Sequence, residues 1–347
     1  MNLKERCEAF AELGRVLRSI VSDYTRGEKT ELDHLISGLH NKNQWFTPGN
    51  IASAIKAIAD ELLLENIEKW VARYPGMQQT SERLTAGIIM AGNIPLVGFH
   101  DFICVLITGN KALIKTSSKD ADLISAISDI LCRINPGFRD MISFTDGTLS
   151  GFDVVIATGS NNSSRYFEYY FRNYPHIIRK NRNSVAIIEG DETREEIKRL
   201  GYDIFSYFGL GCRNVSKIFI PAGYEISELT KNWEEFSEVI FNTKYANNYE
   251  YYKAIYLVNR EPFTDTGYLL LREDSRLASP VSVLYYEYYS SYENLLQLLS
   301  HNNDSIQCTV SKKHTPFGTA QMPALWDYAD GIDTIEFLLK KNSPGRL

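Results

Sequence analysis

The sequence predicts an α/β protein built on a mainly parallel, doubly wound sheet and preceded by a helical N-terminal region. Three observations predict it. From Leu84 onward, apolar runs of strand length alternate with amphipathic stretches of helix length, the pattern of βαβ units. Before about residue 75 the apolar residues fall at helical spacing. The joints between runs carry Gly, Asn, Pro and Ser, which end strands and open helices.

In order, Leu3, Cys7, Phe10 and Leu13 share one helical face, as do Ile51, Ile55, Ile58 and Leu62. Trp45, Phe46 and Pro48 lie between them, with Thr47 and Asn50 suited to cap a helix. Residues 85–91 form the first apolar strand. The turn Gly92-Asn93-Ile94-Pro95 follows, and Pro95 suits the first position of a helix over 96–108. A strand over 112–116, a helix over 121–134 and strands over 141–144 and 152–157 come next. The turn at 158–162 opens a helix that runs to about residue 173. Residues 184–190 read as a further strand. Thr193 and Glu196 have the spacing of a capping box, and Ile197, Leu200, Ile204, Phe205 and Phe208 then share a helical face. Ile218 and Ile220 alternate along another strand. Tyr245, Tyr249, Tyr251, Tyr252 and Tyr256 are expected on strands, with apolar bodies and polar tips lining a cleft. Tyr285, Tyr286, Tyr288, Tyr289 and Tyr292 precede a helical stretch over 293–299, and the segments 315–318 and 325–331 look folded.

With 347 residues, 44% hydrophobic and 23% charged, the chain has the length of two or three domains and an ordinary globular composition. Thirty-seven Lys and Arg against 43 Asp and Glu leave a net charge of −6, which gives no general attraction to nucleic acid or anionic lipid. The apolar runs are short of a membrane span, and residues 1–15 are too polar for a signal peptide. Five scattered cysteines without a CxxC pair, and six histidines without ligand spacing, predict a metal-free cytoplasmic protein with no disulfide framework.

Ligands of doubly wound sheets bind beyond the carboxyl ends of the strands. Three predicted strand exits carry suitable groups: Gly92-Asn93, Lys115-Thr116-Ser117-Ser118 and Thr158-Gly159-Ser160. The last places Gly and Ser at a helix N-terminus, where N–H groups and the helix dipole favour a phosphate; an ordinary N-cap serine has the same spelling. No GxGxxG follows any strand. The stretch Tyr207-Phe-Gly-Leu-Gly-Cys-Arg-Asn-Val-Ser-Lys217 sets Cys212 behind two glycines and near Arg213 and Lys217, whose charge favours thiolate over thiol. The competing reading is a buried structural cysteine. His176 reads either as a proton donor or as a packed histidine behind Pro175. Arg179, Lys180 and Arg182 read as a phosphate-facing run or a solvated face, and His100 and Asp101 as helix-positioning residues.

Ala91-Gly-Asn-Ile-Pro-Leu96, Leu113-Ile-Lys-Thr-Ser-Ser118, Ala157-Thr-Gly-Ser160 and Gly209-Leu-Gly-Cys212 occur in one order. That order and spacing resemble the aldehyde dehydrogenase superfamily, and the wording is most similar to its acyl-CoA reductase family, typified by the fatty-acid reductase subunit of bacterial bioluminescence. The likeness runs from about Leu84 to the end. It implies an aldehyde-dehydrogenase-like fold: a Rossmann-type cofactor domain, an α/β catalytic domain and a helical N-terminal region, with boundaries expected at 1–78, 79–182, 183–312 and a C-terminal segment over 313–347.

The resemblance implies that Cys212 takes the acyl group as a thioester, and that the Asn93 amide with the Cys212 N–H holds the oxyanion. Lys115, with Ser117 and Ser118, matches the ribose-contacting stretch, and Thr158, Gly159 and Ser160 match the turn at the pyrophosphate. Many NAD-using relatives carry a glutamate where this chain has Ser118. Without that carboxylate, repulsion against a 2′-phosphate is absent, so NADP(H) is the expected cofactor. The general-base glutamate of aldehyde-oxidising relatives is also absent: the corresponding stretch reads His176-Ile-Ile-Arg-Lys-Asn181, and no carboxylate lies between Glu168 and Glu189. Without a base to activate water, an acyl-cysteine survives to be reduced. Arg276 replaces a ribose-binding glutamate in Arg276-Leu-Ala-Ser-Pro-Val281. The implied reaction is NADPH-dependent reduction of an acyl-CoA or other acyl thioester, long-chain by the likeness, to the aldehyde. An acyl-cysteine acyltransferase or thioesterase, or a non-catalytic subunit of an acyl-processing complex, are the alternatives. The likeness also implies self-association and a complex with acyl-transferring enzymes.

Overall fold

The computed structural model describes residues 1–30, 32–78, 83–117 and 120–342. The chain divides into two compact units: Met1–Lys180 joined by the segment returning from Ala324, and Asn181–Pro323. The expected boundary at 78/79 adjoins residues outside this description, as does the end of the expected C-terminal segment.

The first unit begins with α1 (Leu3–Thr25), α2 (Asp33–Lys42), α3 (Pro48–Glu61) and α4 (Leu64–Val71). Asn2 and Glu5 close a capping box on α1, and Thr47 caps α3 with Pro48 in its first turn. Phe10, Leu13 and Leu17 of α1 and Ile51 and Ile55 of α3 are buried in one core. Next come β1 (Thr85–Ile89), α5 (Phe99–Ile107), β2 (Lys111–Lys115), α6 (Ala121–Ile134), β3 (Ile142–Phe144), β4 (Val154–Thr158), α7 (Asn161–Phe171) and β5 (His176–Arg179). The strands pair in the order β3-β2-β1-β4-β5, all parallel. β1 leads to β2 on one side while β4 pairs on the other, so the order reverses between β1 and β4. A crevice opens at the carboxyl ends of strands where the order reverses in this way.

The second unit contains β6 (Asn183–Ile187), α8 (Arg194–Phe205), β7 (Val215–Pro221), α9 (Ile226–Thr230), α10 (Thr243–Asn259), β8 (Thr264–Asp265), β9 (Leu270–Glu273), β10 (Val283–Tyr289), α11 (Tyr292–His301) and β11 (Ile306–Val310). Its sheet runs β11-β6-β7-β10-β9-β8, parallel except for β8, which is antiparallel to β9. The chain then returns to the first unit, where α12 (Thr334–Asn342) buries Ile335 and Leu338 in the same core as Phe102.

The structure corrects three sequence expectations. The first tyrosine cluster lies on helix α10, not on strands. Asn242 caps it through the N–H groups of Lys244 and Tyr245, and Tyr245, Tyr249 and Tyr256 fall on its buried face. The Tyr245 hydroxyl donates to the Tyr268 carbonyl, 3.0 Å away, so that residue fastens the core rather than lining a cleft. The helix after β1 starts at Phe99 instead of Leu96, because Leu96 adopts a left-handed conformation at φ 58°. Finally, residues 176–179 form strand β5, and Arg179 is neither solvated nor available to a phosphate. Its guanidinium grips Asp101 of α5 through two hydrogen bonds of 3.0 and 2.7 Å and donates to Thr334 and the Ala329 carbonyl. Burial opposes both charges, but each partner outweighs it: Asp101 stays below its usual carboxylate range and Arg179 is pushed up.

Candidate active site

In the second unit, α8 ends in an irregular turn that delivers Cys212 to the start of β7. The Thr193 and Glu196 capping box fixes the start of α8, and Ile197, Leu200 and Ile204 bury its inner face. After α8, Tyr207, Phe208 and Gly209 have φ values of 52°, 58° and 75°. Glycine takes that left-handed conformation freely, whereas two bulky residues in it are rare and occur where the surrounding structure holds them. Both aromatic side chains are buried.

Asn214 holds the turn. Its Nδ2 donates to the carbonyls of Ser206 at 2.8 Å and Asp203 at 3.1 Å, satisfying the end of α8. Its Oδ1 accepts from the Gly211 N–H at 2.8 Å, and its own N–H donates to the Gly211 carbonyl at 3.0 Å. On the far side of Cys212, the buried Ser184 hydroxyl of β6 donates to the Cys212 carbonyl at 2.9 Å and lies 3.0 Å from Cys308 Sγ. Cys212 is half-buried, and none of the five cysteines joins a disulfide. A half-buried thiol on a braced glycine turn is compatible with a nucleophile's role.

Lys217 does not charge this turn as the sequence suggests. It is buried within β7, and its ammonium meets Glu287 at 2.7 Å and the Asp274 carbonyl. Burial lowers its pKa and Glu287 opposes that shift. Arg276 is likewise engaged. Its fork takes both oxygens of Asp274, at 2.8 and 2.6 Å, and that hydrogen bonding brings the Asp274 carboxyl down to about 2.

In the first unit, three of the sequence-predicted groups converge on one edge of the sheet. The register sets Ile89 of β1 beside Lys115 of β2 and Ala157 of β4, so the turns leaving these strands share the carboxyl edge. Asn93 is exposed in the first turn. Lys115 ends β2, with its ammonium 2.7 Å from the Gly147 carbonyl, and Ser117 continues the turn; Ser118 lies outside the described residues. Thr158 ends β4. Gly159 follows, and a Cβ there would fall 2.8 Å from Phe167 and 2.9 Å from the Ser163 Cβ, so only glycine lets the chain enter α7 this closely. Ser160 caps α7 by accepting from the Ser163 N–H.

These groups suit a nicotinamide dinucleotide without a GxGxxG turn. An ammonium stands at one strand exit, and a glycine-led helix N-terminus stands at the exit across the switch point.

His176 is not part of this edge. It begins β5 opposite Val155, whereas Arg179 pairs with Thr158 at the carboxyl end, so three residues of strand, roughly 10 Å, separate it from the Gly159 turn. It is exposed rather than packed, and its Nδ1 faces the carbonyls of Phe171 and Tyr174 at 3.1 and 2.8 Å. Two carbonyl acceptors place the ring proton on that nitrogen.

Asn214 and Ser184, which brace the Cys212 turn, and Asp120, whose carboxyl accepts from the Leu96 N–H in the Asn93 turn, escaped the sequence reading. Only Asn214 left a signal, as an asparagine closing a glycine turn before a strand.

Comparison with known proteins bears on the family and the fold. Residues 25–240 match the family described as Acyl-CoA reductase (LuxC). A long-chain acyl-protein thioester reductase of Aliivibrio fischeri is 21% identical over 229 residues, covering 60% of this chain and 47% of the relative, so the match spans about half the relative's length. Aldehyde dehydrogenase 21 of Physcomitrella patens, solved with the product succinate, superposes with a TM-score of 0.63 at 12% identity over 90% of this chain and 74% of that one. A Mycobacterium tuberculosis aldehyde dehydrogenase solved with NAD+ superposes with a TM-score of 0.60 at 14% identity over 89% and 73%. The fold is that of the aldehyde dehydrogenases, and the chain belongs to the acyl-CoA reductase (LuxC) family.

Proposed function

We propose that this protein reduces an acyl thioester to the aldehyde through an acyl-cysteine at Cys212, with NADPH as the reductant. The observation that carries the reading is the Cys212 turn: a half-buried thiol on a strained, Asn214-braced loop, in a family named for acyl reduction. Residues 79–182 are read as the cofactor domain and 183–312 as the catalytic domain.

Cys212 loses its proton to solvent, and its sulfur adds to the thioester carbonyl. The bond to the donor sulfur then breaks, and the departing thiolate takes a proton from water. NADPH, when bound, would supply a hydride to the carbonyl carbon of the acyl group on Cys212. As the carbonyl re-forms, the bond to Cys212 Sγ breaks, releasing aldehyde and restoring the thiolate. Negative charge gathers on the same oxygen in both halves, so one set of donors, read as the Asn93 amide and the Cys212 N–H, serves both. Lys115, Ser117, Gly159 and Ser160 are the groups that would hold the cofactor. Ser118, in the place of a glutamate, favours NADP over NAD. His176, at the opposite edge of its sheet, is given no step, and protons exchange with water.

The test is intact mass after incubation with hexadecanoyl-CoA, followed by NADPH. One acyl adduct is expected, absent in Cys212→Ala and cleared by NADPH with release of aldehyde. An adduct that NADPH leaves in place would indicate acyl transfer, and no adduct would overturn the Cys212 mechanism.

A further inference from the structure

Asp120 precedes α6 but does not cap it. Its carboxyl turns to the neighbouring strand exit, where Oδ2 accepts from the Leu96 N–H at 2.9 Å. Its own N–H donates to the Ser117 carbonyl at 3.0 Å. One residue thus ties the turn that carries Asn93 to the turn that carries Lys115 and Ser117. Leu96 is the left-handed residue of the Asn93 turn, and its carbonyl accepts from the Phe99 N–H. Its backbone is therefore pinned from both sides, three residues from Asn93.

The arrangement is costly for a merely structural contact. Asp120 is 5% exposed, and Oδ1 has no hydrogen-bond partner among the described residues. A buried carboxyl oxygen without a donor destabilises the ionised form. A serine or asparagine there would accept the same N–H without burying a charge.

We propose that Asp120 is a positioning residue for the oxyanion donor, its carboxyl holding the Leu96 peptide and thereby the Asn93 amide. This rests on the reading of Asn93 given above. The state of the carboxyl sets the strength of the tether. As carboxylate it accepts a charge-assisted bond from Leu96, and as neutral acid a weaker one. Burial raises its pKa from 3.8 to about 7, opposed by the Leu96 bond and assisted by Asp122. Among the described residues, Asp122 in the first turn of α6 is the charged neighbour acting on it, and Asp122 is itself paired with Lys42 of α2. The turns it joins contribute only the neutral Leu96 and Ser117 backbone groups to these bonds. The tether therefore tightens as pH rises through about 7.

Two rates at Cys212 isolate the effect: acylation by hexadecanoyl-CoA, which builds an oxyanion, and alkylation by iodoacetamide, which builds none. Their ratio cancels the titration of the thiol itself. In the wild type the ratio should rise with a step near pH 7. Asp120→Ala should lower it about 10- to 100-fold, the scale of a misplacement near 1 Å. Asp120→Asn, which keeps an oxygen for Leu96, should recover most of the ratio and lose the step. If Asp120→Ala fails to fold, the Asn variant decides alone: an unchanged step overturns the proposal. Asn93→Ala separates the two readings. If it leaves the ratio intact, the oxyanion role of Asn93 fails. If it lowers the ratio while Asp120→Ala does not, the positioning role fails.

Discussion

At the scale of single residues, the proposal rests on Cys212, set on a turn braced by Asn214 and Ser184, and on Asn93, three residues before the tethered Leu96. A donor aimed at a developing oxyanion contributes only if it is already in place when the charge appears. Asn93→Ala should therefore lower kcat by about 10²- to 10³-fold. Cofactor affinity, followed by quenching of protein fluorescence, should not change, because the substitution removes no phosphate or ribose contact. Lys115→Ala should do the reverse, raising the KM for NADPH while acylation of Cys212 by acyl-CoA proceeds at the wild-type rate. The places of both residues at strand exits were legible, because chain direction alone fixes which end of a parallel sheet a turn occupies. Asp120 was not. It stands in a polar stretch of ordinary composition, and its meaning depends on an N–H that is 24 positions away in the chain.

At the scale of elements, the decisive joint is the one between α8 and β7. Asn214 closes the end of the helix and the glycine turn with one amide group, and it is 2% exposed. Asn214→Ala leaves the carbonyls of Ser206 and Asp203 and the Gly211 N–H without that partner. We expect a loss of about 1–3 kcal/mol in urea denaturation and slower acylation of Cys212, since Tyr207 and Phe208 can then relax from their left-handed conformations. Strands and helices with clean periodicity were readable to within about three residues, and α6 occupies the expected 121–134. α10 was misread because five tyrosines suggest strand by propensity while its buried tyrosines obey helical spacing. β5 was missed because it is short and ends in Arg179, a buried cation whose place is explained by the Asp101 carboxylate of the distant α5.

At the scale of the molecule, that ion pair binds three separated parts of the chain: α5, β5 and the segment leading into α12. Breaking a buried pair from one side leaves the other charge unmet, so Arg179→Met alone should cost about 3–5 kcal/mol. Asp101→Leu combined with Arg179→Met should regain most of that loss, because an apolar pair of similar volume leaves no charge to solvate. Urea denaturation of the two single variants and the double variant decides this, and a double variant as unstable as the single one would show that the bonds to Ala329 and Thr334 matter more than the charge pair. No helix among the described residues is long and apolar enough to cross a membrane.

The return of residues 324–342 to the first unit has a consequence for biosynthesis. Leu325, Tyr328, Ile335 and Leu338 belong to the core begun by α1, yet they are translated after the whole of 181–323. At roughly 5–20 residues per second, the ribosome delivers them on the order of ten seconds after β5. By the end of that interval the second unit has all of its strands, while the first still lacks the apolar side chains of 325–338 and Arg179 still lacks Thr334. The nascent chain thus completes its later-made half first, and its earlier half is the part that chaperones have reason to shield.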